Sequence, residues 1–443
     1  MRRKYTIIFL IVSLIWSNQV TKAKDLSTVL DLEQSIAIAL ERSAFLHSAK
    51  EEVRGAEFKK KVALSEFFPK LKTGYNYTHL NEPPHSTAPR FGPVPQRVIT
   101  FGPSDTYVWT VTMEQPLFTG WSLITNYQLA KLGVNIAKIK EQSSKLDLIL
   151  QVKEAYYSIL KAEKILNVAI QAEKQVEEHV KVARAFYEVG ITPKNDLLEA
   201  EVELAKVKQD LIRAENGLNI AKSKFNVILR RDINEPVVLV DILDYIPFTL
   251  SLDDCIQKAY KQRPEMKEVE LKIEQARKQV KLSKSQFYPN FSLIFNYERQ
   301  GDRYDVRGSD FKDAESWKVI AAMEWTFWEW GKTYYSVNES KVRLIQAEDA
   351  LIQTRDAVTL EVKETYLNLK EAEKNIFVAQ RAIDQAEENF RMNKERYKEQ
   401  EATTTEVMDA QTLLTQAQTN YYNALSDYNI ARARLERAMG LEG

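Results

Sequence analysis

Residues 151–164 read QVKEAYYSILKAEK and lie within a run that contains no proline, residues 121–190. At about 1.5 Å of rise per residue, one helix over this run would be roughly 100 Å long. Helices of globular domains average about 11 to 12 residues. A compact domain cannot hold such a helix, so the sequence predicts an elongated and mainly α-helical protein.

The same pattern occurs a second time in the chain. At an offset of 210, residues 361–374 read EVKETYLNLKEAEK and repeat Lys153, Glu154 and Tyr156 of the first stretch. At an offset of 220, Pro69 aligns with Pro289, and the Asn-Tyr pair at 76–77 aligns with an identical pair at 296–297. Repeats at a fixed offset indicate a repeated structural unit. The chain is therefore interpreted as a duplication.

Composition excludes several classes of function. The 62 basic and 62 acidic residues give zero net charge, so nothing favours nucleic acid as a partner. The sequence contains no Gly-rich phosphate loop, no GxSxG motif and no Cys–His pair. The histidines are scattered without metal-ligand spacing and are interpreted as isolated polar residues. They are His47, His79, His85 and His179. We expect neither enzymatic activity nor a cofactor or metal.

The N-terminus has the pattern of a secretory signal peptide. Basic residues precede an apolar core at 5–16, and small residues follow, which predicts a signal peptide at 1–23 with cleavage after Ala23. The alternative is a membrane anchor, but about 12 apolar residues are too few to cross a bilayer. The single cysteine, Cys255, lies far from this segment, so no lipid-bearing N-terminal cysteine is expected. An exported chain without another apolar stretch is either soluble or spans a membrane as a β-barrel.

Periodicity and proline positions divide the mature chain into two repeats, 24–231 and 251–443, with an equatorial linker at 232–250. Each repeat is predicted to contain a helix, two strands, a long helix and a return helix. The Pro-rich segment 81–104 is predicted to be an exposed loop without strand. In the first repeat the elements are a helix at 30–67, strands at 70–80 and 106–115, and helices at 121–190 and 194–231. In the second they are a helix at 252–287, strands at 290–299 and 317–327, and helices at 331–397 and 404–439.

The four predicted strands alternate with period two. Their odd-numbered residues are apolar or aromatic and their even-numbered residues are mostly polar, so Glu114 and Glu324 would lie on the polar face. A half-buried soluble sheet and a barrel wall both fit this pattern. Four strands are too few to close a barrel, for which about eight are needed, so a barrel would require several chains. Tryptophans in or near the strands suggest an aromatic belt: Trp109, Trp317, Trp325, Trp328 and Trp330.

The return helices carry small residues at seven-residue intervals, which favours close, left-handed supercoiled packing. The last helix shows this most clearly, with alanines at 410, 417, 424, 431 and 438. An ordinary antiparallel coiled coil would show the same pattern. Helix lengths predict that the return helix at 194–231 stacks end to end with the helix at 252–287, and that the last helix stacks with the first.

These features resemble the outer-membrane efflux protein family, the TolC-type channel-tunnels. The resemblance covers essentially the whole mature chain and is carried by the duplicated halves and two strings. One is Pro116-Leu117-Phe118 with Gly120, and the other is the turn string Tyr187, Gly190, Asp196, Leu197 and Ala200. The family implies a homotrimer in outer-membrane lipid, with a 12-stranded transmembrane β-barrel and a 12-helix periplasmic tunnel. It also implies a periplasmic adaptor protein and an inner-membrane transporter as partners, with the hairpin tips, including Tyr187, Gly190, Asp196, Leu197 and Tyr397, at the docking end.

The resemblance also implies roles for residues of the second hairpin. Glu406 and Asp409 match acidic rings that narrow the tunnel mouth, and Tyr397 matches a tyrosine that holds the closed tip together. Glu399 and Glu401 would add to the acidic mouth. The alternative for Glu406 and Asp409 is that they are solvated acids favoured by a helix N-terminus. Two departures from the family pattern affect the gate: Gln400 replaces a turn glycine, and Ala402 stands where a gate arginine is expected.

The sequence therefore predicts a passive exit duct of a tripartite efflux or type I secretion system. Its location would be the outer membrane of a Gram-negative bacterium, with a large periplasmic portion. The alternative is a periplasmic adaptor or coiled-coil scaffold without a pore. An adaptor should have one hairpin flanked by small β domains, and two hairpins each preceded by a strand pair oppose it. A surface adhesin or structural trimer is favoured only by the Pro-rich loop.

Overall fold

The computed structural model describes residues 29–88, 92 and 97–442. The predicted signal peptide and part of the Pro-rich segment lie outside these residues. Within the described part, no helix combines the length and the apolar character that crossing a membrane requires.

The chain is mainly helical and has a few strands, as its sequence predicts. Two helices of 67 residues each dominate it and correspond to lengths of about 100 Å. The helices are α1 Leu32–Arg42, α2 Ala44–Ser65, α3 Ser122–Glu188, α4 Lys194–Ile228, α5 Leu252–Gln262, α6 Pro264–Lys284, α7 Lys332–Lys398 and α8 Thr404–Ala438. The strands are β1 Lys70–His79, β2 His85–Ala88, β3 Arg97–Thr100, β4 Asp105–Thr119, β5 Asn290–Gly301 and β6 Glu315–Glu324.

Two helices that the sequence predicts to be continuous are each broken near one end. The helix at 30–67 is interrupted at Ser43, whose backbone is extended and whose hydroxyl accepts a hydrogen bond from the Leu46 amide at 3.3 Å. The helix at 252–287 is interrupted at Arg263, which is also extended. Pro264 follows it as the first residue of α6, and a proline disfavours helical backbone in the residue before it. Short N-terminal helices therefore precede α2 and α6.

Several strand boundaries also differ from the prediction. β4 continues to Thr119 rather than ending at 115, and β6 ends at Glu324 rather than at 327. The Pro-rich loop, predicted to lack strand, contains the two-stranded ribbon β2–β3, in which His85 pairs with Thr100. A proline disrupts strand pairing only at its own position. Neither four-residue strand contains one.

The stacking order of the shorter helices also differs from the prediction. α6 contacts both long helices in the half next to the main sheet, and α8 contacts both in the other half. The end of α8 meets the start of α6, where Arg263 donates to the Ala438 carbonyl at 3.5 Å and Arg437 pairs with Glu265 at 2.7 Å. A cation near a helix C-terminus and an anion near an N-terminus are both favourable. α8, rather than α4, therefore continues in line with α6.

The segment 232–250 packs against the helices near their middle. Leu30 forms a parallel bridge with Leu239. The buried Tyr156 donates its hydroxyl to the Val240 carbonyl at 2.7 Å, and the buried Tyr428 donates to the Ile246 carbonyl at 2.6 Å. Burial raises the pKa of Tyr156 to about 12, so this hydroxyl stays protonated and remains a donor. These contacts attach the segment between the two repeats to both of them.

Candidate functional site

The main sheet is antiparallel, with the strand order β1-β4-β5-β6. Its register aligns side chains of one character across all four strands. One row across the sheet is Leu71, Met113, Phe295 and Val319, and the neighbouring row on the opposite face is Lys72, Thr112, Asn296 and Lys318. Since successive residues of a strand point to opposite faces, the sheet has one apolar and one largely polar face.

A bulge adjusts this pattern next to the helices. The register between β4 and β5 shifts between Pro116 and Phe118, so that Phe118 lies opposite Phe291. The extra residue changes the phase of the alternation. The even-numbered Phe118 thereby joins the apolar face. Gln115 stabilises the bulge by donating to the Phe67 and Pro116 carbonyls, at 2.9 and 2.8 Å.

Neither face of the main sheet is covered by the described part of the chain. Gly301 is the one buried residue of its four strands, while Leu71 is 74% exposed and Trp317 is 70% exposed. An antiparallel sheet of a soluble domain normally packs one face on a core. β1 and β6 are also edge strands, which leave backbone donors and acceptors free to pair with another chain. The sheet lacks the cover that would complete it.

The predicted aromatic belt lies at two levels of the sheet. Trp109 and Trp317 lie in β4 and β6 towards the loop end, and the Trp109 indole donates to the Thr73 hydroxyl at 2.9 Å. The other three tryptophans follow β6 at the helix end and are between 51% and 85% exposed: Trp325, Trp328 and Trp330. From Trp317 to Glu324 the strand advances roughly 24 Å at ~3.4 Å per residue. An ideal strand of this length therefore lies between Trp317 and the three tryptophans that follow β6.

The first hairpin tip joins α3 to α4 and exposes apolar side chains. Gly190 has a φ of 78°, and the Ile191 amide donates to the Phe186 carbonyl at 2.8 Å, which closes the end of α3. Val189 is 70% exposed and Tyr187 is 39% exposed. Of the predicted tip residues, Asp196 lies in the first turn of α4 and Leu197 is buried.

The second hairpin tip has the same backbone geometry but buries its tyrosine. Gln400 takes the place of the glycine at a φ of 65°, and the Glu401 amide donates to the Arg396 carbonyl at 2.8 Å. Tyr397 is 3% exposed and stacks on Phe186 of α3, with ring centroids 5.7 Å apart. Its hydroxyl accepts a hydrogen bond from Thr404 at 3.3 Å. Tyr397 therefore joins the two hairpins of one chain.

The predicted mouth acids lie at and just beyond this tip, and all four are exposed: Glu399, Glu401, Glu406 and Asp409. The Glu406 carboxylate accepts the Thr403 amide at 2.7 Å, and the Thr403 hydroxyl accepts the Glu406 amide at 3.3 Å. This is a capping box at the start of α8. The bond from the Thr403 amide lowers the pKa of Glu406. Within one chain, Glu406 thus caps the start of α8.

Sequence reasoning missed the buried cluster that joins the two hairpins. Its core is Val176, Val180, Ala183, Leu197, Ala200, Phe390, Tyr397, Val407, Met408, Ala410 and Leu414. The Thr405 hydroxyl adds a bond between hairpins, to the Glu199 carboxylate at 2.8 Å. His179, interpreted above as an isolated polar residue, is 7% exposed and contacts Tyr397. Its spacing of three from Val176 and four from Ala183 was the available signal, because such spacing marks one helix face.

Solved structures similar to this one are outer membrane channels. The Campylobacter jejuni CmeC channel has a TM-score of 0.76 at 16% identity, covering 92% of this chain and 85% of that one. The Vibrio cholerae outer membrane protein VceC gives 0.74 at 17%, with 92% and 96% covered. The open state of the Neisseria gonorrhoeae MtrE channel gives 0.75 at 17%, with 93% and 89% covered. At these identities the likeness establishes the fold.

The sequence profile described as "Outer membrane efflux protein" matches residues 36–226 and 255–441. The chain belongs to this family, which confirms the resemblance drawn from the sequence. The two matched segments lie one in each half of the duplication. No curated protein matches the sequence.

Proposed function

We propose that this protein is one subunit of a homotrimeric channel-tunnel that serves as the passive exit duct of a tripartite efflux or type I secretion system. One observation carries the proposal. The four-stranded sheet has an apolar and a polar face, both uncovered, and two free edges, at the end of helices about 100 Å long. A subunit of this shape encloses nothing alone, and several copies side by side form a wall.

The sheet supports a barrel of twelve strands built from three chains. Its four strands are fewer than the roughly eight that a filled barrel needs, and pairing β1 of one subunit with β6 of the next would remove both edges. The apolar face would then meet lipid. Outer-membrane barrels carry an apolar band about 25 Å tall between aromatic girdles. With strands tilted by about 35–45°, the ~24 Å along β6 corresponds to a height of roughly 17–20 Å, and Trp325, Trp328 and Trp330 follow beyond the end of the strand. Glu114 and Glu324 would face the lumen.

The helices support a tunnel of twelve columns. Each chain supplies four columns, of which the long helices α3 and α7 are two. The third is α8 continued by α6. The fourth consists of α2 and α4, which contact successive halves of α3. Three chains give twelve. The tunnel extends from the end of the sheet where the second group of tryptophans lies. It would occupy the periplasm, as membership of the outer membrane efflux protein family implies.

The two hairpin tips, at the end of the helices away from the sheet, would make different contacts. The first exposes the apolar side chains of Tyr187, Val189 and Ile191, a surface suited to a periplasmic adaptor protein. The second exposes the four mouth acids, which three copies would arrange as rings that favour cations. The duct would draw its energy from an inner-membrane transporter. An adaptor or scaffold without a pore is disfavoured, because neither role requires a sheet that is uncovered on both faces.

Conductance across a planar lipid bilayer tests this proposal. The purified protein should open an ion path, and Glu406→Gln with Asp409→Asn should lower its preference for cations. The matched control is Glu215→Gln, an exposed acid of α4 far from the tip, which should leave selectivity unchanged. A preparation that never conducts counts against the duct. Conduction with unaltered selectivity in the double variant counts against the acidic ring alone.

A further inference from the structure

His179 occupies the contact between the two hairpins of one chain. It lies on α3 about three turns before Gly190 and is 7% exposed. Its ring lies 4.6 Å, between centroids, from that of Tyr397 on α7. Tyr397 is held in turn by Phe186 and by the Thr404 hydroxyl. Any change in His179 therefore acts directly on the packing between α3 and the second tip.

The surroundings of His179 suit a neutral imidazole. Its Nε2 atom has no hydrogen-bond partner among residues 29–88 and 97–442. The charge that acts on it most directly is the Lys394 ammonium of α7, which pairs at 3.9 Å with Glu178 of α3. From α4, Asp196 acts on the Tyr397 hydroxyl rather than on His179.

From α8, Thr404 is neutral and the Glu406 carboxylate is occupied by its helix cap. No described carboxylate accepts a hydrogen bond from His179. A protonated ring would therefore be buried next to a cation with an unused donor, which is costly.

We propose that His179 is a pH switch between the hairpins: when neutral it holds the two tips together, and when protonated it drives them apart. The consequence for transport, that acid opens the tunnel mouth, rests on the proposed function. The separation of the tips within one chain does not.

The direction of the effect follows from proton linkage. Burial, and then the charge of Lys394, lower the pKa of His179 from 6.5 to about 4 in the packed tips. Separation exposes the ring and returns its pKa towards the ordinary value. Well above pH 6.5 the ring is neutral in both states and the packed state keeps its full stability. Between pH 6.5 and 4 the separated state binds the proton first, so the packed-to-separated ratio falls about tenfold per pH unit and about 300-fold in total.

The distance between the tips can be measured directly by pulsed electron paramagnetic resonance. Spin labels at Val189→Cys and Glu399→Cys would report it in the full-length protein, since both positions are exposed and Cys255 is fully buried. Diluting labelled with unlabelled chains isolates distances within one chain. Lowering the pH from 7.5 to 4.5 should add a longer-distance population, with a midpoint between about 4 and 6.5.

Three variants separate a titrating role from a packing role. His179→Phe keeps an aromatic ring and should remove the pH response, whereas the exposed His47→Gln of α2 should retain it. Lys394→Met removes the neighbouring cation, which raises the pKa of His179 in the packed tips and should move the midpoint to lower pH. A histidine that only fills space would not produce that shift.

The proposal is wrong if the wild-type distance does not change with pH, if His179→Phe responds as the wild type does, or if Lys394→Met leaves the midpoint in place. None of these measurements requires conduction. Tips that separate in acid in a protein that never conducts would therefore refute the duct and support the switch. A protein that conducts but whose tip distance does not change with pH would support the duct and refute the switch.

Discussion

The two hairpin tips share one backbone conformation but expose different side chains. In both, a residue with positive φ follows the long helix, and the amide of the next residue, Ile191 or Glu401, donates to the helix carbonyl five residues before it. The equivalent tyrosines then differ, because Tyr187 is 39% exposed and Tyr397 is 3% exposed. The first tip exposes apolar side chains, and the second exposes acids.

This difference shows how two copies of one hairpin come to expose different surfaces. The backbone bonds that close the turns are common to both copies, so they specify the hairpin. The side chains of the second tip fold inwards against the first, through Tyr397, which leaves the polar residues of its turn outside. The substitutions below test how far the two tips have diverged, and they are ordered from the largest expected effect to the smallest.

Tyr397→Ala should lower the free energy of tip opening by about 3 kcal/mol or more, because it removes a buried aromatic ring and leaves a cavity between the hairpins. Hydrogen exchange of the amides of α7 and α8 near the turn would measure it. Tyr187→Ala, at the equivalent exposed position, should change the same quantity by about 0.5 kcal/mol or less. Equal effects at the two positions would show that the tips have not diverged.

Gly190→Ala should destabilise the first tip by about 1–2 kcal/mol, since a side chain at a φ of 78° is strained. The control is Gly133→Ala in the interior of α3, where an added Cβ meets nothing within 4 Å. That change should instead stabilise the helix by about 0.5–1 kcal/mol. Thermal unfolding with hydrogen exchange at each site would give both signs, and a stabilised first tip would contradict the account.

Thr403→Ala should destabilise the second tip by about 1 kcal/mol by removing the cap of α8. The structure shows no side-chain cap from Pro193 at the start of α4, so the first tip has no equivalent. Because the pKa of Glu406 is lowered, its part of the capping is present above its ordinary pKa and is lost as pH falls through the lowered one. Thr403→Ala keeps the backbone amide that the Glu406 carboxylate accepts, so acid removes this part from both proteins and their difference in stability should change little. A difference that vanishes in acid would show that the Thr403 hydroxyl contributes only through the Glu406 carboxylate.

Gln400→Gly should stabilise the second tip by about 0.5–1 kcal/mol. Glycine removes the strain of a side chain at positive φ, and its greater flexibility in the unfolded chain offsets part of that gain. Hydrogen exchange at the turn would again report it. Destabilisation would mean that the Gln400 side chain makes a contact that outweighs the strain.

Much of this architecture could be predicted because it repeats a local pattern. The long helices and the alternation of the strands follow from periodicity, which one sequence contains in full. The breaks at Ser43 and Arg263 also had local signals, a capping serine and a following proline, but the helical spacing continued across them.

Other features depended on contacts that periodicity does not encode. The stacking of α8 on α6 could not be predicted from helix lengths, since lengths allow either pairing. The contacts seen at the junction, among Arg263, Glu265, Arg437 and the end of α8, join residues far apart in the sequence. The burial of His179 arises from a partner helix more than 200 residues away in the sequence.

The central claim is that several copies of this chain assemble to cover the sheet faces and pair the sheet edges that a single chain leaves exposed. The mass of the protein purified from membranes tests it most directly, measured in detergent and again after the detergent is removed. The account predicts a particle of three chains that precipitates or aggregates when detergent is withdrawn. A single chain that remains folded and dispersed in plain buffer would contradict it.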